Sequence, residues 1–322
     1  MRHSMIERNE QLVTVFGGAG FIGRYVCELL FRSGVRVRIA TRDPRNDYFL
    51  QPLAQVGQFG FEKADITSID SVRNAVKSAT AVVNLCGVFG RAMRRVHVEG
   101  AANIAEAARD AGAESLVHIS AIGANLDSRS NYGRTKGEGE EAVRKAFPKS
   151  TIIRPSIVFG PEDDLTNRFA SMANLPFLPV IAAKRYFQPI YVRDLAKAIA
   201  AAAFEPSRFG GKTYEIGGPQ VMSMEELHHA VLEITGQTPE ILRTPDFVTS
   251  LIAKLGFLPG APLTNDQWMM LQHDNVPAKG APGLEAFGIK PTPLGAVGHE
   301  WLSRFHRGSK FSSRKIHLTA AG

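Results

Sequence analysis

This chain of 322 residues has only two cysteines, Cys27 and Cys86. Two thiols make no disulfide framework, and a reducing cytoplasm is the default reading. No apolar run approaches the ~18 residues that a membrane-spanning helix needs. Residues 1–10 are polar and carry Glu7 and Glu10, which fits neither a signal peptide nor a transit peptide. No group of His, Cys, Asp or Glu has metal-ligand spacing, and there are no internal repeats or low-complexity tracts. Acid is scarce at the end: Arg304, Arg307, Lys310, Arg314 and Lys315 follow one another without any. Aromatic platforms are missing beside that charge, which argues against nucleic acid as a partner.

What is present is ordinary for a globular protein: 44% hydrophobic and 21% charged residues, with a net charge of +7. The length suggests one large domain or two unequal ones. Strand-like and helix-like patterns alternate, with strands over 12–16, 35–41, 56–62, 81–85, 115–120 and 150–154. Helices are read over 21–32, 96–111 and 131–146. Such alternation predicts an α/β fold, a doubly wound parallel Rossmann sheet with right-handed crossovers. After residue 155 prolines loosen the pattern, although helices over 192–204 and 223–235 and a strand over 213–216 are still readable. The expected division is a nucleotide-binding domain over 1–155 and a smaller capping lobe over 156–303 with returns to the main sheet. A mobile basic tail over 304–322 follows. That tail reads either as an anchor for an acidic partner or anionic membrane, or as a solvated end.

The first strand runs into Gly17, Gly20 and Gly23, and a helix-like run starts at Phe21. Strand, tight turn and helix N-terminus in this order suit a pyrophosphate: glycine lets it approach, and the helix end offers N–H groups and a positive dipole. The second strand ends in Thr41-Arg42, 19 residues after Gly23. NAD-specific folds place an acid here to bond the ribose 2′-OH, whereas an arginine clamps a 2′-phosphate. NADP(H) is therefore favoured over NAD(H). Asp43 precedes Pro44 and points elsewhere. Asp65, before Ile66, reads either as a partner of the adenine amino group or as a helix N-cap. Cys86 reads as a small buried apolar residue, and Gly87 lets the backbone pass the adenosine ribose.

Tyr132 and Lys136 are four apart and share one helix face. Such a lysine lowers the phenol pKa and bonds the nicotinamide ribose, while the phenol serves as general acid or base. The hydroxyl that should complete this set is Ser120 alone, because Ala121 and Ile122 follow it. His228 and His229 fall on a polar helix and are expected to face solvent. Phe247, Val248, Leu251, Ile252 and Leu255 form one helical stripe, with Phe257 and Leu258 just beyond. It reads as core packing or as a surface beside lipid or a quinone site.

With these residues in view, the chain resembles the extended and atypical short-chain dehydrogenase/reductase superfamily. The carriers are Gly17/Gly20/Gly23, Asn84-Leu-Cys-Gly87, Tyr132/Lys136 and Arg154-Pro155. A narrower likeness rests on Val15-Phe-Gly-Gly18, on His118 through Ala124, and on Arg154-Pro-Ser-Ile-Val-Phe-Gly-Pro-Glu-Asp-Asp164. Asn167-Arg-Phe169, Phe187 through Val192 and Asp274-Asn-Val276 extend it. Together these resemble the nucleotide-binding accessory subunits of respiratory complex I and their bacterial homologues. The resemblance implies bound NADPH with a structural role. It implies docking on other complex I subunits of the peripheral arm, near the membrane surface and the quinone site. For a bacterial chain the place is the cytoplasmic face of the inner membrane. The cofactor-binding set it implies is Gly17, Gly20, Phe21, Ile22, Gly23, Thr41, Arg42, Asp65, Ile66, Cys86, Gly87, Tyr132, Lys136 and Pro155, with Tyr132, Lys136 and Ser120 as the catalytic set. A free NADP-dependent reductase or epimerase on a small or isoprenoid/quinone-related substrate is the alternative. Two departures stand out: His97 where asparagine is usual, and Ala182-Ala183 where glycines are common.

Overall fold

The structure, a computed structural model, describes residues 10–254 and 263–306. Seven parallel strands form its central sheet in the order β7-β6-β5-β4-β1-β2-β3. They are β1 (Leu12–Phe16), β2 (Arg36–Thr41), β3 (Phe59–Lys63), β4 (Ala81–Asn84), β5 (Ser115–Ile119), β6 (Thr151–Pro155) and β7 (Thr213–Ile216). The strand order reverses between β1 and β4, so the loops after these two strands diverge and open a crevice. The inner strands β1, β4, β5 and β6 are short and mostly buried because helices cover both faces. Helices α1 (Phe21–Arg32) and α6 (Val192–Phe204) lie on one face, over Val13, Val15, Ile39, Val117 and Ile153. Helices α2 (Ile69–Val76), α3 (Ala101–Asp110) and α4 (Asn131–Ala146) cover the other, over Phe16, Val82, Leu116 and Ile152.

The readable strands and helices recur, with instructive shifts. The third strand begins at Phe59 rather than Val56, because Gly57 takes a left-handed φ of +84° and turns the chain there. The helix read over 96–111 is in two parts: a wider π-type turn over Arg95–Gly100, then α3. A 3₁₀ segment over Pro44–Leu53 and helix α5 (Asp164–Met172) carry no strong pattern in the sequence.

The late motifs have local structural work. Asp163 caps α5, accepting from the backbone N–H groups of Gly160 and Thr166. Asn275 Oδ1 accepts from Ser156 Oγ at 2.7 Å and from the Ile157 amide at 3.1 Å, which fastens the late segment to the end of β6. Arg154 grips the buried Glu140 of α4 with two bonds of 2.8 Å and Glu215 of β7 with one of 3.0 Å. Ala182 holds φ +53°, a conformation that glycine adopts freely and alanine does not.

Helix α7 (Met224–Thr235) corrects the reading of His228. That residue is 3% exposed, not solvent-facing, whereas His229 is exposed. Its ring stacks on Phe169 at 3.6 Å between centroids, and Nδ1 donates to the Met224 carbonyl at 2.7 Å. Helix α8 (Asp246–Lys254) turns Thr249 and Ala253 inward and leaves Phe247 and Leu251 exposed. Core packing therefore does not account for those two. Leu255, Phe257, Leu258 and the tail from Arg307 lie outside the described residues.

Burial holds His228 down to about 4, and His97 and His118 down to about 3. Their folded-state values lie below the unfolded one, so unfolding takes up protons once pH falls below about 6.5. Stability present at neutral pH is then lost on acidification, by about 1.4 kcal/mol per pH unit per histidine. His228→Phe keeps the stack on Phe169 and removes one titrating ring. Its unfolding free energy should fall less steeply than the wild type's between pH 6 and about 5. Identical slopes in urea titrations at the two pH values would show that His228 does not titrate as described.

Candidate functional site: a dinucleotide crevice

The glycine-rich turn is built by backbone contact. Gly17 leaves β1 at φ +78°, and the Gly20 amide donates to the Gly17 carbonyl at 3.1 Å. A Cβ on Gly23 would lie 2.2 Å from the Gly17 carbonyl oxygen and 2.6 Å from the Gly18 carbonyl. Helix α1 thus rests directly on the turn. A Cβ on Gly20 would meet only the Gly17 oxygen, at 3.2 Å. No side chain caps the N-terminus of α1, and no acid lies in its first turn. Among the described residues no side chain takes up the first N–H groups of this helix, and a helix end of this kind suits an anion. Phe21 and Ile22 are half-buried just beyond, with the Phe21 ring packed against Gly160.

The other strand ends bring up the remaining candidates. Thr41 closes β2 and Arg42 follows it, exposed and in no ion pair among the described residues, its charge helping to hold the Asp65 carboxyl low. After β3, Asp65 Oδ1 accepts from the Thr67 amide and hydroxyl, both at 2.9 Å. The helix that follows is capped at Ser68, so Asp65 shapes the turn and is not the helix N-cap. Ile66 packs against Gly100. After β4, the Cys86 amide donates to Asn84 Oδ1 at 3.0 Å, and burial pushes the thiol up to about 11. A Cβ on Gly87 would be 3.4 Å from Lys136 Nζ. Pro155 ends β6, and its carbonyl accepts from the Ile122 amide at 3.1 Å.

Helix α4 presents Tyr132 and Lys136 to this crevice. Ser130 caps it by accepting from Gly133, and Asp266 from helix α9 (Asn265–Met270) accepts from the amides of Asn131 and Tyr132. Lys136 is 3% exposed and donates to the Ile119 carbonyl at 3.0 Å. Burial lowers its pKa to about 8. The Tyr132 ring stacks on Phe89 at 4.6 Å and meets His97 edge-on at 5.3 Å. Burial pushes its phenol up to about 12. The lysine lies 5.9 Å from the ring centroid, and the lowering expected from it is not what this geometry produces. Ser120 Oγ and His118 Nε2 are buried and have no hydrogen-bond partner among the described residues.

Three site residues carried no signal as contacts. His97 Nε2 accepts from the Val88 amide at 3.0 Å, so Nδ1 carries the proton and donates to Thr135 Oγ1 at 2.9 Å. Thr135 Oγ1 in turn donates to the Tyr132 carbonyl at 3.2 Å. This relay joins the loop after β4 to helix α4, and Phe89 lies over it. The one sequence clue was His97 standing where asparagine is usual.

The cradle and the unpartnered hydroxyl fit a dinucleotide, which would supply hydride chemistry at its nicotinamide. Gly20→Ala should fold with a cost of about 1 kcal/mol or less, because only one contact tightens. It should bind nucleotide weakly. Gly23→Ala should cost about 2–4 kcal/mol, since its Cβ collides with backbone that has nowhere to move. Thermal unfolding and nucleotide titration of the two variants measure both. Equal losses of stability would contradict this division of roles.

Comparison with known proteins agrees with the geometry. The model of the NAD dependent epimerase/dehydratase family matches residues 13–217. The chain is 36% identical over 317 residues to a mitochondrial NADH dehydrogenase [ubiquinone] 1 alpha subcomplex subunit 9 of Mus musculus, covering 96% of this chain and 84% of that protein. It is 30% identical over 243 residues to a ceramide reductase of Caulobacter vibrioides, covering 73% and 74%. Among solved structures, an NADPH-dependent quinone oxidoreductase of Escherichia coli, complexed with NADPH, shares the fold: TM-score 0.72 at 16% identity, over 89% of this chain and 99% of that one. The chain belongs to the NAD-dependent epimerase/dehydratase family of extended short-chain dehydrogenases/reductases and, within it, to the branch of the complex I accessory subunits.

Proposed function

We propose that this chain is an NADP(H)-binding, non-catalytic accessory subunit of respiratory complex I, in which the nucleotide is a structural element. It docks on other subunits of the peripheral arm, close to the membrane surface and the quinone site. In a bacterium that places it at the cytoplasmic face of the inner membrane, as a peripheral subunit. Among the described residues no helix is long and apolar enough to cross a membrane.

The observation that carries this reading is the state of the acid–base residues. A working general acid needs a pKa near the operating pH. Here burial pushes the Tyr132 phenol up to about 12, and the Lys136 amine is engaged by the Ile119 carbonyl. Ala121 and Ile122 supply no hydroxyl beside Ser120. The binding residues are arranged for a different task. Gly17, Gly20 and Gly23, with the N-terminus of α1, would hold the pyrophosphate. Thr41 and Arg42 would take the 2′-phosphorylated ribose, and Asp65 and Ile66 the adenine. Cys86, Gly87 and Lys136 would flank the riboses, with Pro155 at the nicotinamide end. The alternative, an NADP-dependent reductase or epimerase on an isoprenoid, quinone-like or lipid substrate, draws on the shared face of Tyr132 and Lys136. It draws also on the likeness to a ceramide reductase.

Two outcomes follow. Arg42→Ala should lower NADPH affinity by roughly 10- to 150-fold, the equivalent of one charged hydrogen bond of ~1.5–3 kcal/mol, and should change NADH affinity little. Calorimetry in which wild type binds both nucleotides equally would remove the NADP(H) assignment. Tyr132→Phe should leave complex I content and quinone reductase activity nearly unchanged, whereas Lys136→Ala should lower nucleotide occupancy and assembly together. Steady NADPH oxidation on a carbonyl substrate, cut ~10²–10⁴-fold by Tyr132→Phe, would favour the reductase instead.

A further inference from the structure

The end of β2 presents a paradox for an NADP(H) site. Arg42 suits a 2′-phosphate, but the next residue is Asp43, an acid close to where NAD-specific folds carry one. An unscreened carboxylate there would repel a phosphate of charge near −2. The structure shows what becomes of that charge. Asp43 is extended, at φ −136° and ψ 97°, and caps the 3₁₀ segment Pro44–Leu53. Its Oδ1 accepts from Arg45 Nε at 2.9 Å and from the Arg45 amide at 3.2 Å. Its Oδ2 accepts from Arg45 Nη2 at 2.9 Å. Both oxygens are therefore engaged by one guanidinium in the fork geometry that arginine alone provides.

We propose that Arg45 is a specificity-determining residue: its clamp on Asp43 removes that carboxylate from the field around Arg42 and so keeps the site selective for a 2′-phosphorylated ribose.

The inference rests on the NADP(H) reading given above. Three further observations support it. The Arg45 side chain is 84% exposed and the Asp43 side chain 38%, and pairs at such positions contribute little to folding. Stability therefore gives this clamp no strong purpose. Arg45, with Lys63 adding to it, holds the Asp43 carboxyl below the usual carboxylate range, so the acid stays ionised beside the arginine. Finally, the charge next along the crevice is also occupied. Asp65 is bonded by Thr67, and Thr67 Oγ1 accepts from Arg95 Nη2 at 3.3 Å. Asp47, another acid of this loop, is 5% exposed, and burial raises its pKa. Arg42 forms no ion pair among the described residues, and its charge, with that of Arg95, helps hold the Asp65 carboxyl low.

The experiment is calorimetric titration of the purified full chain with NADPH and with NADH, at low salt and at about 0.5 M salt. Four proteins are compared: wild type, Arg45→Ala, Asp43→Asn/Arg45→Ala and Arg42→Ala. Arg45→Ala keeps the backbone amide that caps the segment, so its melting temperature should stay within about 2 °C of wild type. Its NADPH affinity should fall about threefold to tenfold at low salt, with NADH affinity changed less than about twofold and the effect shrinking at high salt. The double variant should regain wild-type preference, because the charge that Arg45 screened is gone. A merely structural role would move the melting temperature and both nucleotides alike. An unchanged preference in Arg45→Ala, or no recovery in the double variant, would overturn the inference. If instead wild type shows no preference and Arg42→Ala changes nothing, the NADP(H) reading itself fails. If Arg42→Ala abolishes the preference while Arg45→Ala does not, that reading stands and the clamp is refuted.

Discussion

The fold of the crevice depends on one backbone contact. Helix α1 lies so close to the turn after β1 that Gly23 has no space for a methyl group between it and the carbonyls of Gly17 and Gly18. That approach aims the uncapped end of α1 along the C-terminal edge of the sheet. It also fixes the positions from which the loops after β2, β3 and β4 reach the same edge. Gly17, bent to φ +78°, stands against Leu85 and Cys86 of the neighbouring loop. Each later element of the site is thus located relative to a contact between main chains, which a side-chain change elsewhere alters little.

On this frame the two halves of the crevice differ in kind. The half beside β2 carries the exposed Arg42, the clamped Asp43 and the glycine turn. The half beside α4 is a buried polar web. Asp266 secures the start of helix α4, and His97 links Val88 to Thr135 and so to the Tyr132 backbone. Lys136 reaches across to β5. These bonds tie helix α4 to the loops around it. The nucleotide's binding energy would in turn join α1, α4 and the β4 loop, which otherwise meet at a crevice.

Much of this was legible in the sequence. Short apolar runs marked six of the seven sheet strands within a few residues between Leu12 and Pro155, and helical runs marked α1, α3 and α4, but α2 and the 3₁₀ segment Pro44–Leu53 were given no range. The Tyr132/Lys136 pair and the glycine turn are local spacings, so they too could be read directly. Long-range partners could not. Asp266 reaches Tyr132 across 134 residues, and nothing near either residue announces it. His228 looks solvent-facing on its own helix and is buried only because Phe169 of α5 stacks on it. The clamp on Asp43 escaped for another reason: a proline next to an acid signals a turn, but not which arginine the acid will meet.

The central claim is that the bound dinucleotide is held and not turned over. It is tested most directly by loading the subunit with NADPH deuterated at the nicotinamide C4 and assembling it into complex I. The complex is then run through many cycles of quinone reduction, and the bound nucleotide is extracted for mass spectrometry. The account predicts reduced nucleotide with its deuterium intact, in the amount loaded. Deuterium lost from the bound pool, or conversion to the oxidised form in step with turnover, would contradict it.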